Sequence, residues 1–242
     1  MKPSQPARKR GFSLIETVIA IGVLAVLLTG FMIVFAPAAA GVRKAINVQE
    51  ADRLATTLEQ ELVTFRTGDQ GVNGFGKAFT WIKESNVANN ALMIYQYRGS
   101  LIKSPRTTDQ TPEPVTAQEM NDPNMQPGKG YAVRTMVRRK SDPKFLEDLK
   151  AVEGSVYVVK CTQLVFSGGE LKPGTIGQIK DPKPPNADSA TPDLYPEAVI
   201  AFAAEFHALP TRSPDYLTGA QFNTKFPNLK TPVFTRNLAV RR

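Results

Sequence analysis

Residues 8–28 read RKRGFSLIETVIAIGVLAVLL. Three cations, Arg8, Lys9 and Arg10, stand just before Gly11, and one carboxylate, Glu16, sits near the start of an otherwise uncharged apolar run. From Thr17 to Val42 no residue is charged, a stretch of 26. As an α-helix rising about 1.5 Å per residue this stretch reaches roughly 39 Å, more than the roughly 30 Å of a bilayer's hydrocarbon core. It can therefore span a membrane. The basic cluster on its N-terminal side predicts that the first residues stay in the cytoplasm and that the bulk of the chain is exported.

A cleaved secretory signal is one rival reading, because Ala36-Pro37-Ala38-Ala39-Ala40 offers small residues for a cleavage site. The apolar core of such signals is usually about 7–15 residues, shorter than this run. A carboxylate inside it would also hinder insertion. A plain signal anchor tethering a periplasmic binding module or enzyme is the second rival. Neither gives Glu16 a purpose.

The short basic leader, then Gly11, Phe12, Ser13, Leu14, Ile15 and Glu16, then an apolar helix, resembles the class III signal of type IV pilins and type II secretion pseudopilins. The resemblance implies that a prepilin peptidase cuts between Gly11 and Phe12 and methylates the new amine of Phe12. Glu16 then becomes the fifth mature residue, the position of the family's glutamate. The implied partners are that peptidase, sister pilin or pseudopilin subunits and an inner-membrane assembly platform. The implied location is the inner membrane, with the N-terminus cytoplasmic and the globular part periplasmic or carried on a surface filament.

Physical chemistry gives each of these residues a reason. Gly11 lacks a Cβ, so its backbone can enter a tight protease cleft. Cleavage leaves an ammonium at Phe12 in apolar surroundings, and a lone charge on a membrane helix costs about 2.5–3.5 kcal/mol on insertion scales. In the resembled filaments the glutamate of one subunit pairs with the N-terminus of its neighbour. A subunit packed out of register leaves both charges uncompensated.

Beyond Val42 the helical pattern changes character. Ala51, Leu54, Ala55, Leu58, Leu62 and Phe65 recur at three- and four-residue spacing, with Glu50, Asp52, Arg53, Glu59, Glu61 and Arg66 on other faces. One helix from Phe12 to about Arg66 is predicted, roughly 80 Å long, closed by Gly68 and Gly71 and kinked or locally melted at Pro37. Strands are predicted at Ala91–Leu101, Tyr131–Arg138, Ser155–Phe166 and Val199–Leu209, with a weaker one at Val233–Val240. Ser141-Asp142-Pro143 reads as a helix start, with Phe145, Leu146, Leu149 and Val152 as its buried face. Two loops, at about 102–130 and 169–197, hold 11 of the 19 prolines, so they are expected to be irregular and exposed.

The expected class is α+β: a long N-terminal helix, half transmembrane and half amphipathic, packed on a C-terminal antiparallel β-sheet domain in the pilin manner. The expected division is a leader at 1–11, a transmembrane or filament-core helix at 12–42, an amphipathic half at 43–67 and a globular β domain at 68–242.

Composition narrows the function. The net charge is +8, but both signs mix along the chain and no long basic stripe interleaves with aromatics, so nucleic-acid binding is not predicted. A single cysteine, Cys161, excludes an intrachain disulfide, and its place in a valine-rich strand predicts a buried thiol. The paired cysteines of many pilins are absent, and the size and long insertions suit a minor pilin or pseudopilin. The lone His207 predicts neither a metal site nor a His-based triad. The segment GVNGFGKA, residues 71–78, places Ala78 where a phosphate-binding loop needs Ser or Thr, and reads instead as a glycine-rich exit from the long helix. Asp181, Asp188 and Asp193 lack calcium-ligand spacing. No cofactor, metal or catalytic residue is predicted. A structural subunit, not an enzyme, is the expectation.

Overall fold

The computed structural model describes residues 13–66, 69, 73–182, 189, 191–229 and 231–242. It divides into two compact units, Met1–Ile46 and Asn47–Arg242. Helix α1 runs Leu14–Val63, and Pro37 lies inside it without interrupting it, so the expected melting does not occur. Proline removes only one helical bond, the one its own N–H would have given to the carbonyl of Ile33.

In the first unit, Leu14–Ala39 is the candidate span, and none of it is buried. Its few polar groups are satisfied locally. The hydroxyl of Thr29 donates to the Ala25 carbonyl at 2.8 Å. Phe31 and Phe35, one turn apart, stack with ring centroids 4.4 Å apart.

In the second unit six antiparallel strands form one sheet: β1 (Leu92–Ser100), β2 (Tyr131–Arg139), β3 (Val152–Ser167), β4 (Glu170–Pro173), β5 (Val199–Ala208) and β6 (Phe234–Arg241). Their spatial order is β2-β1-β3-β5-β6, with β4 pairing the far end of β3. The central strand β3 is 16 residues long. Alternation along the strands sends side chains to two cores. Leu92, Ile94, Tyr157, Val159, Ile200, Phe202 and Phe206 join Leu54, Leu58 and Leu62 of α1 on one side. Met93, Tyr95, Tyr97, Val156 and Val158 meet Phe145, Leu149, Leu217, Phe222 and Phe226 on the other. Each leucine that α1 buries is worth roughly 1.5–3 kcal/mol, so the amphipathic half of the helix is held mainly by packing.

All five expected strands are present, within three residues at every end. Asp142 caps α3 (Pro143–Asp148) as its sequence suggests, its carboxylate accepting from the Lys144 N–H at 2.9 Å. Three differences have physical causes. The glycine-rich exit is in fact the start of a second helix, α2 (Gly74–Glu84), capped by the Asn73 side chain, with Phe75, Phe79, Trp81 and Ile82 buried. Its glycine at 74 is required, because a Cβ there would stand 2.2 Å from the Val63 carbonyl oxygen. Short helices α4 (Pro214–Thr218) and α5 (Ala220–Lys225) cover the second core, where the sequence offers too few turns for a periodic signal. Finally, the loop at 102–130 is not simply exposed: Arg106, Asp109, Thr111 and Val115 within it are buried. The closing glycines expected at 68 and 71 lie outside the described residues.

Beside the buried Val115 and backbone bonds to β1, a buried charge network pins that loop. Asp148 has no exposed surface, and it accepts from the Tyr95 hydroxyl at 2.6 Å, Arg106 at 2.6 Å and Arg138 at 2.9 Å. Arg138 also reaches Asp109 at 2.9 Å and Asp142 at 3.0 Å. Burial pushes the Asp109 carboxyl upward, but hydrogen bonds from Thr111 and Arg138 outweigh it and hold it well below the usual carboxylate range. Burial and the Asp148 charge push the Tyr97 phenol up to about 12.

His207, on β5, is buried, and its ring stands 3.6 Å from a Glu205 oxygen. Burial first, then the nearby Lys160 ammonium, lowers its pKa, and these outweigh Glu205 and the Thr231 backbone, which raise it. A histidine depressed in the folded state binds protons more readily when unfolded. Stability should therefore decline as pH falls through the ordinary histidine range near 6.5. Chemical denaturation at pH 7.5 and 5.5 should show a smaller drop in His207→Leu than in the parent; an equal drop would place the pH sensitivity elsewhere.

Candidate processing and assembly site

The first turn of α1 is closed by its own side chains. Ser13 precedes the helix, and its hydroxyl accepts from the Ile15 N–H at 3.2 Å. In return Glu16 folds back, and one carboxylate oxygen accepts from the Ser13 N–H at 2.9 Å. This reciprocal pair is a capping box, in which Ser and a Glu three residues later satisfy two helix-end donors that have no partner within the helix. A carboxylate here also lies at the positive end of the helix dipole. The signal is legible in the chain as Ser13-Leu-Ile-Glu16, and it gives Glu16 a local use that needs no second subunit. Gly11 and Phe12, the two sides of the expected cut, lie outside the described residues.

From this cap the helix presents apolar side chains on every side. Leu14 is 83% exposed and Ile33 69%, and among the described residues of the spanning stretch none is buried. A helix that is apolar all round needs lipid or other helices around it. The anchor and the cap thus adjoin: a single carboxylate marks the end of a surface that water does not tolerate.

Elsewhere the described residues hold little that could react. The Cys161 thiol is buried and pushed up to about 12 by that burial, so it is a packing group. A cavity of about 310 Å³ is bordered by Glu61, Arg66, Asp109, Arg138, Asp142 and Lys144. Its charges compensate one another, as in Arg66 with Glu61 at 2.8 Å and Lys144 with Asp109 at 3.3 Å. Among the described residues no three His, Cys, Asp or Glu side chains converge to hold a metal ion. Asp188 lies outside the described residues.

No curated protein and no solved structure matches the chain. Residues 6–32 match the family model described as the prokaryotic N-terminal methylation motif. That segment contains the basic cluster, Gly11, Phe12, the Ser13–Glu16 cap and the apolar stretch as far as Met32. The chain carries the prepilin-type signal of type IV pilins and pseudopilins, joined to a long helix and an antiparallel sheet consistent with a pilin-like fold.

Proposed function

We propose that the chain is the precursor of a pilin-like structural subunit, cut between Gly11 and Phe12, N-methylated at Phe12, and drawn from the inner membrane into a type IV pilus or a type II secretion pseudopilus-like filament. The observation that carries this reading is the methylation motif at 6–32, laid over the start of a helix whose spanning stretch is wholly uncovered. Such a surface is soluble in lipid and equally satisfied by sister helices in a filament core. The motif points to a structural subunit rather than an enzyme, and it implies a processing peptidase and other pilin subunits as partners.

In this reading residues 1–11 are the leader, 12–42 the membrane and filament-core segment, 43–67 the amphipathic half of the helix and 68–242 the globular domain. The N-terminus is cytoplasmic and the domain periplasmic. Glu16 has two successive partners. In the precursor it caps its own helix; after cleavage the Phe12 ammonium of a neighbouring subunit offers it a full positive charge.

Coexpression with a prepilin peptidase tests the first step. Intact-mass measurement should show loss of the first 11 residues and a methylated Phe12 at the new N-terminus. Gly11→Val should keep the leader, because a branched side chain blocks the scissile bond. A chain cut near Ala40 would mark a secreted protein, and one left whole beside active peptidase would mark a simple tether.

A further inference from the structure

The start of β3 carries a second feature, beside Glu50 of α1. Glu50 of α1 accepts from the Tyr157 hydroxyl at 2.8 Å. Its other oxygen lies 3.1 Å from where a Cβ on Gly154 would stand, and Gly154 has φ +72°, which favours glycine. The same glycine borders a cavity of about 570 Å³, whose charged lining is Arg98, Lys150, Glu153 and Arg212. Three cations face one carboxylate.

The two arginines are held in place. Arg98 lies 3.2 Å from Glu153 and donates to the Val115 carbonyl at 3.2 Å. Arg212 donates to the Val152 carbonyl at 2.7 Å. A guanidinium has five N–H donors, so these contacts leave most of them for another acceptor. Lys150 is exposed. An excess of two positive charges over fixed forks and a point ammonium suits a phosphate group. Only seven residues separate Ala39, the end of the spanning stretch, from Asn47, the start of the second unit, and two of them are Arg43 and Lys44.

We propose that this cavity receives the phosphate of an anionic phospholipid headgroup at the surface of the membrane that anchors the chain. The inference rests on the anchored reading above. Bound there, a headgroup holds the globular unit against the bilayer before assembly, and leaving the membrane breaks that contact.

The test places the full chain in nanodiscs of phosphatidylcholine alone or with about one third phosphatidylglycerol, and follows hydrogen exchange at residues 149–154 and 211–214. Phosphatidylglycerol should slow exchange there, and millimolar inorganic phosphate added to phosphatidylcholine discs should not. Each cation removed, in Lys150→Gln or Arg212→Gln, should weaken the lipid dependence about fivefold, as expected for one basic residue at an anionic surface. Lys150 is exposed, so its replacement does not threaten the fold. Exchange that ignores lipid charge, protection by inorganic phosphate alone, or a Lys150→Gln chain that behaves as the parent would overturn the proposal while leaving the anchor intact. A chain that fails to co-elute with discs of either composition would overturn both.

Discussion

Replacing Asp148 with alanine is expected to remove about 3–5 kcal/mol from the stability of the globular unit, because it strands buried partners of a charge pair. Asp148 has no exposed surface, and two arginines and a tyrosine hydroxyl converge on it. Without it, Arg138 keeps Asp109 and Asp142, but Arg106 keeps only the neutral Thr111 hydroxyl, at 3.2 Å, and the exposed Glu147, at 3.4 Å. Tyr95→Phe, which removes one hydrogen bond to the carboxylate and no charge, should lose less, about 1.5–3 kcal/mol. Trp81, the single tryptophan, reports unfolding in denaturant for both variants. A loss below 1 kcal/mol in Asp148→Ala would mean that water reaches the arginines. The same network predicts acid sensitivity. Asp109 is depressed in the folded state, so its contribution is present above the ordinary carboxylate range near pH 3.9 and is lost as pH falls through and below it.

The second large effect separates the two partners proposed for Glu16. Ser13→Ala removes one half of the cap and should weaken the helix end by about 1 kcal/mol, leaving the carboxylate for a neighbouring amine. Filament yield should fall little. Glu16→Ala removes both the cap and the pairing charge, and it should reduce incorporation into filaments by an order of magnitude or more while membrane insertion and cleavage persist. Glu16→Gln keeps a hydrogen-bond acceptor for the Ser13 N–H but not the charge, and should fail like alanine. The readout is the fraction of processed subunit recovered in sheared filaments. If glutamine assembles as well as the parent, Glu16 serves the helix end and not the neighbour.

The strands were legible because their apolar side chains alternate between the two cores: Met93, Tyr95 and Tyr97 face one and Leu92 and Ile94 the other, and Ile200, Phe202 and Phe206 share a side. The long helix was legible from its uncharged run and from Leu54, Leu58 and Leu62. Helix α2 was hidden by its own glycines, since Gly74 and Gly76 imitate a loop although Asn73 caps it and Phe75, Phe79 and Ile82 keep helical spacing. The buried Asp148 network was out of reach for a different reason. Its members come from β1, the loop at 102–130, β2 and α3, and charged residues far apart in a chain carry no periodic mark of meeting. At the N-terminus the motif is visible in full, and Ser13-Leu-Ile-Glu16 has the spacing of a capping box as well.

Two polar bolts fasten α1 to the rest of its unit. Glu50 grips Tyr157 near the beginning of β3, and Glu61 lies 3.4 Å from the wholly buried Lys77, which also holds Asp69 at 3.0 Å. The bolts are eleven residues apart, about 16 Å along the helix, with Leu54 and Leu58 between them and Leu62 just beyond. Tension applied along α1 therefore loads both at once and slides the leucine row in shear against the sheet, instead of peeling contacts away singly. A chain tugged by this helix yields all together or not at all.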